Sequence, residues 1–195
     1  MKKRKVYLYV DEFRLITKTV KYNLETLKRM MDQDPEVKKI IILIKEENND
    51  LLSPTEREYL LKKITSEDPS FVIRSTDISK TFKIIKKIEG EEIEIKKMFV
   101  SREDRDYFEN GLKGLQISVE ALEDDIDEVT QIYNSIMNND YSSYLEHSPD
   151  ELYDEYEWHR EKLRGMLENY FYPNKAMETL NKIFETTVKR SIQWK

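Results

Sequence analysis

A chain of 195 residues has room for one large domain or two small ones, and 38% apolar with 11% aromatic residues excludes wholesale disorder. The absence of Cys excludes disulfides, zinc fingers, iron–sulfur clusters and thiol catalysis, and two His (His147 and His159) leave little room for a histidine-rich metal site. The net charge of −6 conceals a division: residues 1–100 carry 22 Lys and Arg against 18 Asp and Glu, and residues 101–195 carry 11 against 21.

Lys5 to Val10 alternates in the manner of a first strand, with Val6, Leu8 and Val10 on one side. Thr19 to Gln33 places Val20, Leu24, Leu27 and Met31 at helical spacing, and Asp34-Pro35 ends it. Lys38 to Lys45 holds the run IIILI, short and β-branched, which suits a strand covered on both faces of a parallel sheet. Ser53-Pro54-Thr55-Glu56 is a helix start in which Ser and Glu satisfy each other's free N–H groups. Leu60, Leu61 and Ile64 form the buried stripe of that helix. Ser70 to Arg74 predicts a third strand. Asp77 is placed as the cap of a helix reaching Glu89, with Ile78, Phe82, Ile85 and Ile88 facing inward.

Glu92 to Val100 predicts a fourth strand, with a hairpin across Glu89-Gly90 as the competing arrangement. A short helix from Ser101 to Glu109, a fifth strand at Leu115 to Ser118 and a helix from Val119 to Met137 follow. Alternation of strands and helices with short connections implies right-handed βαβ units and a mostly parallel, doubly wound α/β sheet. The expected division is a sheet domain over residues 1–138, a linker over 139–147 and an acidic helical hairpin over 148–195 docked on the first domain. The hairpin opens at Ser148-Pro149-Asp150-Glu151 and turns at Pro173.

The longest apolar run is five residues, Ile40 to Ile44, too short to span a membrane. The opening MKKRKVYLYVDEF has no apolar run before Asp11, so a cytoplasmic protein without a signal peptide is expected. Only 2 Ala occur, amid abundant Lys, Ile, Asn and Tyr, a bias that suits an AT-rich genome such as those of many bacteriophages (a viral origin) and mobile elements.

Residues 120–157 contain 13 acidic side chains and no basic one, although helices ordinarily mix the two signs to gain i,i+4 support. The leading functional expectation is therefore a non-enzymatic regulator or inhibitor that engages a basic site on a partner protein, in the extreme by mimicking nucleic acid. Its partner-binding residues are Asp124, Asp125, Glu128, Asp154, Glu155 and Glu157, with Tyr153 and Trp158 as aromatic anchors. That expectation needs no cofactor.

The alternative uses carboxylates where ligands bind in doubly wound sheets, beyond the carboxyl ends of the strands. Asp11 and Glu12 follow the first strand, Glu46 and Glu47 the second, Ser75, Thr76 and Asp77 the third, and Ser101, Glu103 and Asp104 the fourth. Asp11, Glu12 and Asp77 are the candidate catalytic set, holding Mg²⁺ for phosphotransfer or nuclease chemistry. VYLYVDEFRL resembles the opening strand of NYN/PIN-type nucleases, in which an Asp ending strand 1 helps bind metal. Glu12 and Arg14 stand where those openings continue with Gly and Asn. Asp11-Glu12 with Ser101 after the fourth strand is also similar to response-regulator receivers, without their Asp after the third strand or Lys after the fifth. Neither resemblance is carried to a family.

A glycine-rich phosphate loop is absent from the sequence. His159 falls on the apolar face of a predicted helix and His147 in the linker, which argues against Ser/His/Asp catalysis. Direct nucleic-acid binding has only MKKRK and the Lys-rich stretch from Lys80 to Lys87 in its favour.

Overall fold

The computed structural model describes residues 3–46, 52–90, 92–138, 142–155 and 165. Five parallel strands form one sheet: β1 (Arg4–Asp11), β2 (Val37–Glu46), β3 (Phe71–Asp77), β4 (Ile93–Val100) and β5 (Ser118–Ala121), in the order β3-β2-β1-β4-β5. The protein is therefore an α/β fold with helices on both faces of the sheet. Chain entry at the central strand explains the unbroken burial of Val6 to Val10, since β1 has a neighbour on each side and a helical layer on each face.

Helices α1 (Lys18–Gln33) and α2 (Pro54–Ile64) cover one face. Val20, Leu24, Leu27 and Met31 of α1 join Leu60, Leu61 and Ile64 of α2 against Tyr7, Tyr9, Ile40 and Ile42. The capping box at Ser53 and Glu56 forms as its spacing dictates. Helices α3 (Thr81–Gly90) and α4 (Arg105–Gly111) cover the other face, where Ile85, Ile88, Phe108 and Leu112 meet Val6, Leu8, Val10, Ile41 and Leu43. Helix α5 (Ile126–Met137) returns to the first face and buries Val129 and Ile132. The winding reverses at β1, whose connection runs one way to β2 while that of β4 runs the other way to β5.

The Glu89-Gly90 hairpin does not form: Gly90 closes α3, and β4 pairs in parallel with β1 and β5. Asp77 caps a 3₁₀ turn (Ile78–Lys80), so α3 begins at Thr81 and Ile78 is left exposed rather than in the buried stripe. The fifth strand lies at Ser118–Ala121, later than expected, because Leu115 and Ile117 pack on the α3/α4 face from the preceding loop. The helix expected from Val119 begins at Ile126 instead. Leu122 N–H donates to the Val100 carbonyl and prolongs the sheet pairing, so its helical spacing with Ile126 was coincidental.

In the stretch expected as linker, α6 (Ser142–His147) packs against α5 and buries Tyr144. A second 3₁₀ turn (Asp150–Leu152) then buries Leu152 in the α1/α2 core. The expected hairpin beyond Glu155 lies outside the described residues. Among the described residues no helix is long and apolar enough to cross a membrane.

Candidate functional site

The carboxyl ends of β1 and β4 meet where the winding reverses, the place at which doubly wound sheets leave a crevice. Asp11 is the last residue of β1 and Glu12 follows it. Phe13 then takes a left-handed backbone (φ 52°), unusual for a bulky side chain. That reversal sends the Phe13 ring into the core against Tyr9, at a centroid distance of 5.0 Å, and leaves the two carboxylates at the crevice.

Lys45, near the end of β2, is almost fully buried and ion-pairs with Asp104 and, at 3.6 Å, with Glu12. Burial alone would lower the Lys45 pKa; the hydrogen bond to Asp104 and the charges of Asp104, Glu12 and Asp11 outweigh it and raise the value. Asp104 precedes α4 at the position where a side chain ordinarily caps the helix. It makes no capping bond and accepts from Lys45 instead.

The loop after β5 supplies Asp125. Its Oδ2 accepts from the hydroxyl of Thr17, the N-cap of α1, at 3.0 Å. Glu128, one turn on, accepts from the Thr19 N–H at 3.1 Å and lies 3.7 Å from His147 Nδ1. The entrances of α1 and α5 are thus tied together by carboxylates.

Asp11 accepts from the Glu12 N–H at 2.7 Å and from the Tyr9 hydroxyl at 3.3 Å. Burial nevertheless pushes its pKa up to about 6. Burial and then the charge of Asp11 push Asp125 up to about 7. Below the pair, the fully buried Arg57 of α2 donates to the Glu12 carbonyl at 2.5 Å and to the Lys45 carbonyl at 3.4 Å, fixing both strand ends from beneath.

The candidate residues read from sequence divide accordingly. Asp11 and Glu12 stand in the crevice. Asp77 is exposed at the end of the edge strand β3, two strands from β1, with its carboxylate accepting from the Ser79 N–H at 2.8 Å and from the Ser79 hydroxyl. Asp125 and Glu128 face the crevice side of α1, while Asp124 and Asp154 are exposed. Glu155 pairs with Lys63 and accepts from the Tyr59 hydroxyl, and the Tyr153 hydroxyl donates to the Leu145 carbonyl. Glu157 and Trp158 lie outside the described residues.

Sequence reasoning did not anticipate Lys45, Thr17 or Arg57. The one available signal for Lys45 and Arg57 was a lone cation bordering an apolar run or an apolar helical stripe. Acids without basic neighbours along the chain find them across space: Glu120 with Lys97, Glu123 with Arg102, Glu151 with Lys21 and Glu155 with Lys63. The amino-acid sequence matches no protein-family model and no curated protein.

Proposed function

We propose that the protein is a divalent-cation-dependent enzyme acting on phosphoryl groups, by phosphotransfer or nuclease-like cleavage, at the crevice formed by Asp11, Glu12, Asp104 and Asp125. The observation that carries this is the convergence of carboxylates from the ends of three neighbouring strands, β1, β4 and β5, at the winding reversal. Two of them are held protonated to near neutrality for want of a matching charge.

Among the described residues no three Asp, Glu or His side chains already form a metal cage. That suits Mg²⁺, which keeps several waters and is held by one or two carboxylates together with substrate phosphate. Bound there, the ion would polarise a phosphoryl oxygen and neutralise developing charge. Asp125, titrating near the working pH, is suited to take a proton from the attacking water or hydroxyl. Lys45 offers positive charge to the phosphate.

The test is calorimetric titration with Mg²⁺ or Mn²⁺. Because both Asp groups must lose protons to bind a cation, binding should release protons and strengthen as pH rises from 5 to 8. Asp11→Asn should weaken it by about tenfold or more. Absence of binding heat in the wild type would discard the proposal.

A second reading, a regulator or inhibitor that docks on a basic partner surface, is supported by exposed acids without a salt bridge among the described residues (Asp124, Asp127, Glu146 and Asp154) beside the exposed Ile126 and Leu145. Affinity for a captured partner that does not fall with added salt, or is kept when Asp124 and Asp127 become Asn, would remove it.

A further inference from the structure

We infer that the substrate is single-stranded nucleic acid, its backbone following the lysine face of α3 and one unpaired base stacking on Tyr107 beside the carboxylates. This rests on the phosphoryl reading of the crevice and adds what that reading lacks, a path for a chain and a seat for a base.

A cleft of about 240 Å³ adjoins the crevice, lined by Glu12, Lys45 and Asp104 on the polar side and by Ile78, Tyr107 and Phe108 on the other. Tyr107 is 57% exposed and Ile78 40%, in a fold that buries its other large apolar groups efficiently. The Tyr107 ring is braced from below, 5.1 Å from Phe82 and 5.3 Å from Phe108 between centroids. Phe82 in turn lies on the backbone of Gly111, where a Cβ would come within 2.2 Å of the Phe82 ring. The glycine therefore permits the aromatic group to close up. A rigid aromatic with one face to solvent, next to polar groups, is the arrangement on which unpaired bases stack, whatever their identity.

The same Phe82 belongs to α3, whose remaining surface is basic. Thr81, Ile85 and Ile88 are buried, and helical spacing puts Lys83, Lys86 and Lys87 on the opposite, exposed face, with Lys80 exposed in the turn before it. None of these four makes a salt bridge among the described residues, whereas Lys5, Lys21, Lys63, Lys96 and Lys97 are all drawn into ion pairs. Like charges at i,i+3 and i,i+4 weaken a helix, so the stripe sacrifices stability unless an anion meets it. In a chain of net charge −6, a polyanion is steered to this face and away from the acidic α5 side.

The experiment is fluorescence anisotropy of the full chain with short labelled oligo-U, oligo-dT and a duplex of mixed sequence, in EDTA so that no metal contributes. Single strands should bind. Tyr107→Ala should weaken binding about tenfold or more, with Tyr107→Phe close to wild type. The triple variant Lys83→Glu, Lys86→Glu, Lys87→Glu should weaken it similarly and flatten the slope of log affinity against log salt by about 2. Lys38→Glu, at the far end of the sheet, is the control and should bind normally. A preference between oligo-U and oligo-dT identifies the sugar and supports the inference either way.

Failure of both single strands to bind would overturn the inference, as would a duplex held equally well without Tyr107, or a loss in Lys38→Glu equal to that of the triple variant. Circular dichroism of each variant separates lost binding from lost fold. Strand binding with no metal heat would break the enzymatic reading alone, and metal heat with no strand binding would break this one alone.

Discussion

The two ends of the β1–β4 seam both gather charged side chains, and they treat them oppositely. At the amino end, Lys96 meets Asp34 at 2.6 Å and Glu36 at 3.1 Å, Lys5 meets Glu36 at 3.0 Å, and the Tyr7 hydroxyl donates to Asp34 at 3.0 Å. Both acids there are held below the ordinary carboxylate range by those lysine partners, and both lysines are raised. Each group sits in the charge state it prefers, which is the mark of a structural ion network. At the carboxyl end Lys45 serves several acids at once, and Asp11 and Asp125 are pushed the other way, toward the neutral form. Charge density is alike at the two ends. The direction in which the acids are displaced separates a brace from a place prepared for a ligand.

The contrast is broken most directly at Arg57. Its guanidinium is fully buried and holds the carbonyls of Glu12 and Lys45, the residues that carry the crevice. Arg57→Met keeps the bulk and removes the donors, leaving buried carbonyl oxygens unsatisfied. The expected cost is about 3 kcal/mol in unfolding free energy, read from urea denaturation. The same measurement on Lys38→Met, exposed on β2, should show almost no change. Equal effects in the two variants would mean that the carboxyl end is not specially built.

The fold was legible because apolar periodicity and caps are local. Ile40 to Ile44 reads as a doubly covered strand, and the Ser53 capping box announces α2 before any tertiary contact is known. The site was legible only in part. Asp11 and Glu12 follow a plain strand signal and were found. Asp77 carries the same signal after β3, but strand order, which sequence does not disclose, puts β3 at the sheet's edge. Asp125 was attributed to the acidic tract, because nothing along the chain distinguishes it from the exposed Asp124; only the return of α5 to the α1 face turns one of them inward. Lys45 and Arg57 depend on pairing across 59 and 45 residues, beyond the reach of periodicity. The acidic second half is uncompensated along the chain because its partners, Lys21, Lys63, Lys97 and Arg102, lie in the first 102 residues.

A smaller effect sharpens the comparison by its sign. Asp125 titrates near 7 when folded and near 3.8 when unfolded, so between those values the folded state binds more protons and stability falls as pH rises. Above pH 7 the full penalty applies, and below pH 4 none of it does. Asp125→Asn keeps an oxygen to accept from Thr17 and removes the charge. It should therefore stabilise the protein at pH 8 by on the order of 1–2 kcal/mol once solvent screening is allowed for, with the gain fading to nothing by pH 4. Asp34 is displaced downward by Lys96, so its contribution is present above pH 4 and is lost as pH falls through its lowered value. Asp34→Asn should accordingly show no gain at pH 8 and a modest loss that disappears in acid. Thermal midpoints of both variants across pH 3 to 8 give two curves of opposite slope; parallel curves would place Asp125 in an ordinary ion pair and leave the crevice no different from the brace at the other end.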